Sequence, residues 1–152
     1  MRQPAVYSFA PAQSGQGGDV PVRLSATDAH RHSATPRTRY AFLTLPDYSM
    51  SALTNAIEPL RMANRVSGQG AYEWLVVTPD GEPVTASNGL MLTPTRRLTD
   101  APDVDMVFVC GGVNVREAVS PALVTVLRRL AARRMPLGAL CTGGYALAQA
   151  GL

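Results

Sequence analysis

Cys141 is the residue of this sequence whose type and position most clearly suggest chemical reactivity. It opens the run Cys141-Thr142-Gly143-Gly144, directly after the apolar segment at 136–140. A cysteine on such a strand-to-helix turn resembles a nucleophile elbow, where free amides and the helix dipole favour a thiolate and lower its pKa. The pattern predicts a reactive or ligand-contacting thiol. The interpretation that Cys141 is simply a small residue that fits a crowded turn stays open beside it.

Two further segments place polar or glycine-rich ends beside this turn. Gly111-Gly112 follows the apolar run at 104–110, and such a pair lets backbone N–H groups approach a bound carbonyl or carboxylate, as in an oxyanion hole. Ligands of open α/β sheets bind at the carboxyl ends of the strands. The residues predicted to contact a ligand are therefore the following: Cys141, Thr142, Gly111, Gly112, Val113, Asp47 and Tyr48.

The sequence does not pair this thiol with a base. Its histidines are His30 and His32, far from the apolar segments, and Cys110 at the end of a strand is expected to be a buried core thiol. Nucleophilic catalysis needs a base beside the nucleophile, so no catalytic residue is predicted. Side chains with metal-ligand spacing do not occur, and neither a metal nor a cofactor is expected.

The elements that must position these residues alternate between strands and helices. A short hairpin is expected at 83–93, around Ser87-Asn88-Gly89. The predicted strands are 40–45, 72–78, 104–110 and 136–140. The predicted helices cover about 51–65, a stretch from Pro121, and a stretch that 141–144 opens and that runs to about Ala150. This order predicts an α/β fold with an open parallel sheet and helices on both faces.

Helix boundaries carry their own signals. Ser49 or Ser51 is expected to cap the first helix, which Pro59 should kink, and Ser120 should cap the second with Pro121 at its first position. The apolar stripe of the last helix is predicted to be Tyr145, Leu147, Ala148 and Leu152. No later element covers the site that this helix opens, so the domain is expected to be truncated on its C-terminal side.

The charge pattern divides the chain. All 14 basic residues are Arg, and five of them lie within residues 1–39 against two aspartates, so residues 40–152 are electrically balanced. The Gly-, Ser- and Pro-rich stretch 1–38 is predicted to be a disordered basic leader, with an interaction arm as the alternative. The balanced part is a poor candidate for binding nucleic acid.

Four arginines cluster near the end of the second helix. They are Arg128, Arg129, Arg133 and Arg134. A solvated helix end, where cations suit the dipole, is the favoured interpretation, and a phosphate-binding patch is the alternative. No apolar run approaches the ~18 residues that span a bilayer. With no secretory signal and two cysteines expected to stay reduced, a cytoplasmic location is predicted.

The segments around these residues resemble a known family. FLTLPDYSMSALTNAIEPLRMAN, VDMVFVCGGV and LGALCTGGYALAQAGL are similar to the ThiJ/PfpI-type domain, a class I glutamine amidotransferase-like and flavodoxin-like fold. The resemblance covers residues 40–152. It is nearest to GlxA-type regulators of the AraC family that control choline, glycine betaine and carnitine catabolism, where a helix-turn-helix pair follows this domain.

The resemblance implies a ligand-sensing and dimerising domain of a transcriptional regulator. Its partner would be a small amine or amino-acid-like effector, and DNA would be bound only by a helix-turn-helix domain absent from this chain. For a quaternary amine, Tyr48, Trp74 and Tyr145 are the candidates for an aromatic cage. The alternative is a small hydrolase, deglycase or thiol stress protein that uses Cys141.

One position separates these two implied functions. The enzymes of the family carry an acidic residue in the first helix, six positions before the carboxylate that is Glu58 here, and this sequence has Ala52 at that place. The resemblance therefore implies a protein that is not an enzyme. Glu58 matches the second acidic position of the family, and a structural role at the helix kink is equally open for it.

Overall fold

The computed structural model describes residues 37–100 and 103–152 of the 152-residue chain. The expected disordered leader falls almost entirely on residues 1–36, which lie outside the described residues. The first strand includes Thr38 and Arg39, so it begins slightly before the predicted start at residue 40.

A parallel five-stranded sheet forms the centre of the described part. Its strands are β1 (Thr38–Thr44), β2 (Tyr72–Thr78), β5 (Arg96–Arg97), β6 (Met106–Cys110) and β7 (Leu137–Leu140), in the order β5-β2-β1-β6-β7. The pairs β1–β2, β1–β6, β2–β5 and β6–β7 are all parallel. The carboxyl ends of β1, β6 and β7 therefore lie side by side, as the predicted site requires.

The helices begin at the residues that the sequence signals indicate. In α1 (Met50–Ser67), the Ser49 side chain accepts a hydrogen bond from the Ala52 N–H, and the helix runs on through Pro59 to Gly68. In α3 (Pro121–Ala132), the Ser120 side chain accepts one from the Leu123 N–H. The short helices α2 (Val115–Ala118) and α4 (Gly143–Gln149) follow β6 and β7.

Side chains that alternate along the strands build a separate core on each face of the sheet. The face under α1 holds Phe42, Tyr48, Leu53 and Cys110. The opposite face packs against α3 and α4 through Leu43, Val109, Leu127 and Ala146, among others. The predicted α/β architecture, with helices on both faces of an open parallel sheet, is confirmed.

The segment between β2 and β6 contains one expected and two unexpected features. The expected hairpin consists of β3 (Val84–Thr85) and β4 (Met91–Leu92), which pair antiparallel. The two-residue strand β5 and a 3₁₀ turn at Leu98–Asp100 were not predicted. None of the helices in the described ranges has the length and apolar content needed to cross a bilayer.

Candidate functional site

The loops that follow β1, β6 and β7 are joined by a continuous set of hydrogen bonds. Between the first two loops, Leu45 N donates to Cys110 O (3.1 Å) and Ser49 N donates to Gly111 O (3.0 Å). Between the second and third loops, Gly111 N donates to Leu140 O (3.2 Å), and Thr142 Oγ1 donates to Gly112 O (2.7 Å). The three strand ends are thus fixed relative to one another.

Cys141 occupies the predicted turn in a conformation that L-residues rarely adopt. Its φ is 53°, in the left-handed region, and its side chain is exposed. A non-glycine residue there costs about 1–2 kcal/mol. The helix that follows is short, and its N-cap residue Thr142 makes no capping hydrogen bond because its hydroxyl is bonded to Gly112. The geometry therefore presents the Cys141 thiol to solvent beside the β6 loop.

The glycine pair has a different role from the one expected. The Gly111 N–H donates to Leu140 O, so it is not a free donor for a bound carbonyl, and the predicted oxyanion hole is wrong for this amide. A Cβ at Gly111 would lie 2.6 Å from Gly143 N, and a Cβ at Gly112 would overlap Asp47 O. These residues are glycine because neighbouring backbones approach them closely.

Asp47 is held by a partner that the sequence reading missed. Its carboxylate Oδ2 accepts a 3.1 Å hydrogen bond from Asn114 Nδ2, and both residues have positive φ, 57° and 60°. Asn and Asp tolerate the left-handed region better than other residues. The signal was present in the sequence, since an Asn placed two residues after a glycine pair is typical of such a turn.

Tyr48 was expected to line the site, and the structure buries it instead. Its exposed fraction is 0%, and its hydroxyl donates to Met50 Sδ at 3.7 Å. Burial raises the pKa of its phenol, and the charge of the Cys110 thiolate adds to the increase. The reason lies in the hairpin, where Ser87 N donates to Tyr48 O and Ala86 pairs with Tyr48. Tyr48 is therefore a core residue and not an accessible wall.

The two cysteines differ sharply in environment. Cys110 is buried under α1, as predicted, and burial raises the pKa of its thiol to about 12, with a smaller contribution from Cys141. At neutral pH this thiol is protonated and inert. Cys141 is the exposed one of the pair.

The three aromatic residues proposed as a cage are not brought together. Tyr48 is buried, and Trp74 packs against the same core cluster under α1, to which Tyr145 does not belong. Tyr145, which is half-buried, lies after the carboxyl end of β7, and the Arg116 guanidinium stands 5.9 Å from the centroid of its ring. The prediction that these three residues form an aromatic cage is therefore wrong.

The two positions of α1 that bear on catalysis can also be placed. Ala52 is in the first turn, where its N–H donates to Ser49 Oγ. Glu58 is exposed and bonded to Arg61 at 2.6 and 2.8 Å, and these hydrogen bonds lower the pKa of its carboxyl. Glu58 is thus a surface ion-pair residue about two turns into the helix.

The exposed side chains at the three strand ends form what we call the elbow site. It consists of Asp47, Val113, Cys141 and Thr142, of which Asp47 is half-buried and Val113 is 60% exposed. One carboxylate, one hydroxyl, one thiol and one apolar side chain suit a small polar ligand. Within residues 37–100 and 103–152, no three His, Cys, Asp or Glu side chains are grouped as metal ligands.

The sequence matches the model of the DJ-1/PfpI family over residues 41–152. The HTH-type transcriptional regulator GbdR from Pseudomonas aeruginosa is 47% identical over 111 residues, which are 73% of this chain and 30% of GbdR. This chain thus corresponds to less than a third of that regulator. An isonitrile hydratase from Pseudomonas putida is 33% identical over 93 residues, 55% of this chain and 41% of that enzyme.

The solved structures include a regulator of the same fold. The crystal structure of an AraC family transcriptional regulator from Pseudomonas putida superposes with a TM-score of 0.67 at 31% identity. The match covers 75% of this chain and 61% of that one. The sequence match to GbdR and the structural match to this regulator thus each cover about three quarters of the chain.

Proposed function

This chain belongs to the DJ-1/PfpI family, and we propose that it is the effector-binding part of a transcriptional regulator. The observation that supports this most directly is the 47% identity to GbdR over 111 residues, 73% of the chain. Its similarity to the isonitrile hydratase is lower and covers less of the chain. The expected likeness to regulators of the AraC family is confirmed.

The effector would bind at the elbow site. Cys141 keeps a strained backbone conformation and an exposed side chain, which packing alone does not require, and strain of this kind is concentrated at functional sites. Asp47 supplies a carboxylate that would attract an ammonium group, while the Thr142 hydroxyl and Val113 offer polar and apolar contacts. An amine or an amino-acid-like metabolite is the ligand class that we propose.

Residues 40–152 would not themselves bind DNA. Nine arginines and nine acidic residues balance within 40–152, so this part has no net positive charge of the kind that DNA-binding domains carry. We propose that effector binding biases a helix-turn-helix domain of the same regulator, by favouring one of two conformations.

A homodimer and a cytoplasmic location remain our predictions. Light scattering at several protein concentrations tests the first.

Thermal stability in the presence of candidate effectors tests the effector proposal. We expect glycine betaine, carnitine, choline or arginine to raise the melting temperature, because a ligand at 100 times its Kd stabilises the folded state by about 2.7 kcal/mol. Val113→Trp would obstruct the elbow site and should abolish the response. Val66→Trp, the same change at a side chain 80% exposed near the end of α1, is the matched control. A flat response to all four compounds would count against an amine effector.

The alternative function is a cysteine-dependent hydrolase or hydratase, and the match to the isonitrile hydratase favours it. Against it stands Ala52 in the first turn of α1, where the enzymes of the family are expected to carry an acid. Cys141→Ser separates the two functions. An enzyme would lose its turnover of an isonitrile substrate, whereas an effector-binding domain would show no turnover in either form and would keep its thermal response.

A further inference from the structure

A second cavity lies on the face of the sheet opposite α1. Its volume is about 450 Å³, and its walls come from α3 and the turn after it, from Leu98 and Thr99 after β5, and from Val104 and Val107 around the start of β6. Small-molecule pockets usually measure about 300–1,000 Å³, so this cavity has room for a metabolite. Its apolar lining consists of Leu98, Val104, Val107, Val126, Leu130 and Met135.

This cavity is separate from the elbow site. Val104 precedes β6 and Met135 precedes β7, so the cavity opens toward the amino ends of these strands. The elbow site lies at their carboxyl ends. None of the four residues of the elbow site lines the cavity. A ligand here would therefore occupy a different site from the proposed effector.

Two arginines of the α3 end border the apolar lining. Arg129 and Arg133 both line the cavity, and residues four apart lie on the same side of a helix. The ion pairs among the described residues involve Arg37, Arg39 and Arg61, so neither of these two guanidinium groups is neutralised by a described carboxylate.

The other arginines of the cluster serve different purposes. Arg128 Nε donates to Ala150 O at 3.0 Å and ties α3 to the end of α4. Arg134 has a φ of 60° and lies in the turn after the helix, outside the cavity lining. Of the four clustered arginines, which the sequence alone does not distinguish, only Arg129 and Arg133 thus line the cavity.

We propose that this cavity binds a small anionic amphiphile, a carboxylate that carries an aliphatic tail. Guanidinium groups bind carboxylates through paired, charge-assisted hydrogen bonds, and Arg129 and Arg133 provide two such groups on one side. The six apolar side chains would remove the tail from water, which is the main source of affinity in such a pocket. An uncharged aliphatic ligand would lack the contact with the guanidinium groups, and a short carboxylate would lack the contact with the apolar lining.

Octanoate is a suitable probe, and the Met135 methyl group is a local reporter. The chain has six methionines, of which Met135 lines the cavity. With ¹³C-methyl methionine in the 152-residue chain, octanoate should shift the Met135 resonance, which Met135→Leu assigns. Octan-1-ol and acetate should each bind at least about tenfold more weakly, a loss of about 1.4 kcal/mol.

Matched variants test the two halves of the proposal. Arg129→Gln and Arg133→Gln should each weaken octanoate binding by about tenfold, since a charge-assisted hydrogen bond is lost, whereas Arg134→Gln removes the same charge from the same region and should have little effect. Val126→Phe should occupy part of the cavity and weaken octanoate binding. Val124→Phe adds the same volume to α3 at a residue that does not line it.

Several outcomes would overturn the proposal. An unchanged Met135 resonance at millimolar octanoate would exclude a site in the cavity. Equal losses in Arg129→Gln and Arg134→Gln would indicate only nonspecific attraction by the basic helix end. A Met135 shift that follows protein concentration and not octanoate would assign the cavity to contact between two copies of the chain.

Discussion

Gly143, the first residue of α4, lies directly against the carbonyl group of Val109 in β6. A Cβ placed on Gly143 would overlap Val109 O and would also lie 3.2 Å from Gly111 N. The elbow is therefore seated on the backbone of the neighbouring strand and not on side chains. This contact fixes the height at which Cys141 and Thr142 stand above the sheet.

Gly143→Ala should consequently destabilise the chain. The added methyl group meets backbone atoms, which cannot rotate away, and overpacking of this kind costs about 1–3 kcal/mol or more. Gly144→Ala is the matched control, because a Cβ there meets only Ala139 Cβ at 3.9 Å and alanine favours a helix by about 1 kcal/mol over glycine. Urea denaturation should show opposite signs for the two variants. Equal stabilities would contradict the close contact.

Thr142→Val should lower the free energy of unfolding by about 1–2 kcal/mol. The substitution keeps the shape of the side chain but removes the hydroxyl that donates to Gly112 O at 2.7 Å. Gly112 is buried, so its carbonyl would lose its partner away from water. Thr142→Ser should retain most of the stability.

Thr125→Val provides the comparison for this hydrogen bond. Thr125 Oγ1 also donates to a backbone carbonyl, that of Pro121, at 2.9 Å, but on the exposed side of α3. Water can replace that donor, and little stability should be lost. If both valine variants behaved alike in urea denaturation, the bond between Thr142 and Gly112 would not hold the two loops together.

The sequence predicts most of this fold because its local signals are strong. Ser49 and Ser120 cap the helices as expected, and the strand at 72–78 has the predicted bounds. Such signals act within a few residues of the backbone that they shape. The same holds for Cys141, whose position between an apolar segment and a glycine pair indicates the turn that the structure contains.

The remaining features depend on contacts between distant segments. Strand β5 is a pair of exposed arginines without an apolar pattern, and it exists because it pairs with β2. Tyr48 is buried because the distant hairpin covers it. In the last helix, the predicted stripe is wrong at Ala148 and Leu152, which are exposed. The residues that face the sheet are instead the small Ala146 and Ala150. Gly143 likewise lies in close contact with Val109 of β6.

The two thiols should react with alkylating agents at very different rates. Cys141 is exposed and Cys110 is buried with a pKa raised to about 12, so iodoacetamide at pH 8 should add one group to the native chain and two to the chain in urea. Peptide mass mapping identifies the residue. Rapid modification of Cys110 in the native chain would show that the core under α1 opens readily.

The same thiol should make stability depend on pH in alkaline solution. Cys110 has a folded pKa of about 12 against an ordinary value of 9.0. Above pH 9 the unfolded chain releases this proton while the folded chain retains it. The stabilising effect is therefore complete below pH 9 and is lost as the pH rises toward 12, at up to about 1.4 kcal/mol per pH unit.

Urea denaturation between pH 8 and 10 measures this dependence. Cys110→Ala removes the titrating group, so the slope with pH should become shallower even though the variant is less stable at every pH. The Tyr48 pKa is raised as well, and its effect begins only near pH 10. An unchanged slope in Cys110→Ala would mean that other groups cause the alkaline loss.

Cys141→Gly should separate the stability of the chain from its ability to bind an effector. Glycine adopts the φ of 53° found at Cys141 without the cost of a Cβ, and the gain exceeds the extra entropy of the unfolded chain, so the variant should be more stable by up to about 1 kcal/mol. The thiol is lost with the side chain, and the thermal response to an effector at the elbow site should weaken or disappear. Cys141→Ser keeps a polar side chain and the strain, so both properties should stay near those of the parent chain. A glycine variant that gained stability and bound the effector undiminished would remove Cys141 from the site and leave its backbone conformation without a functional reason.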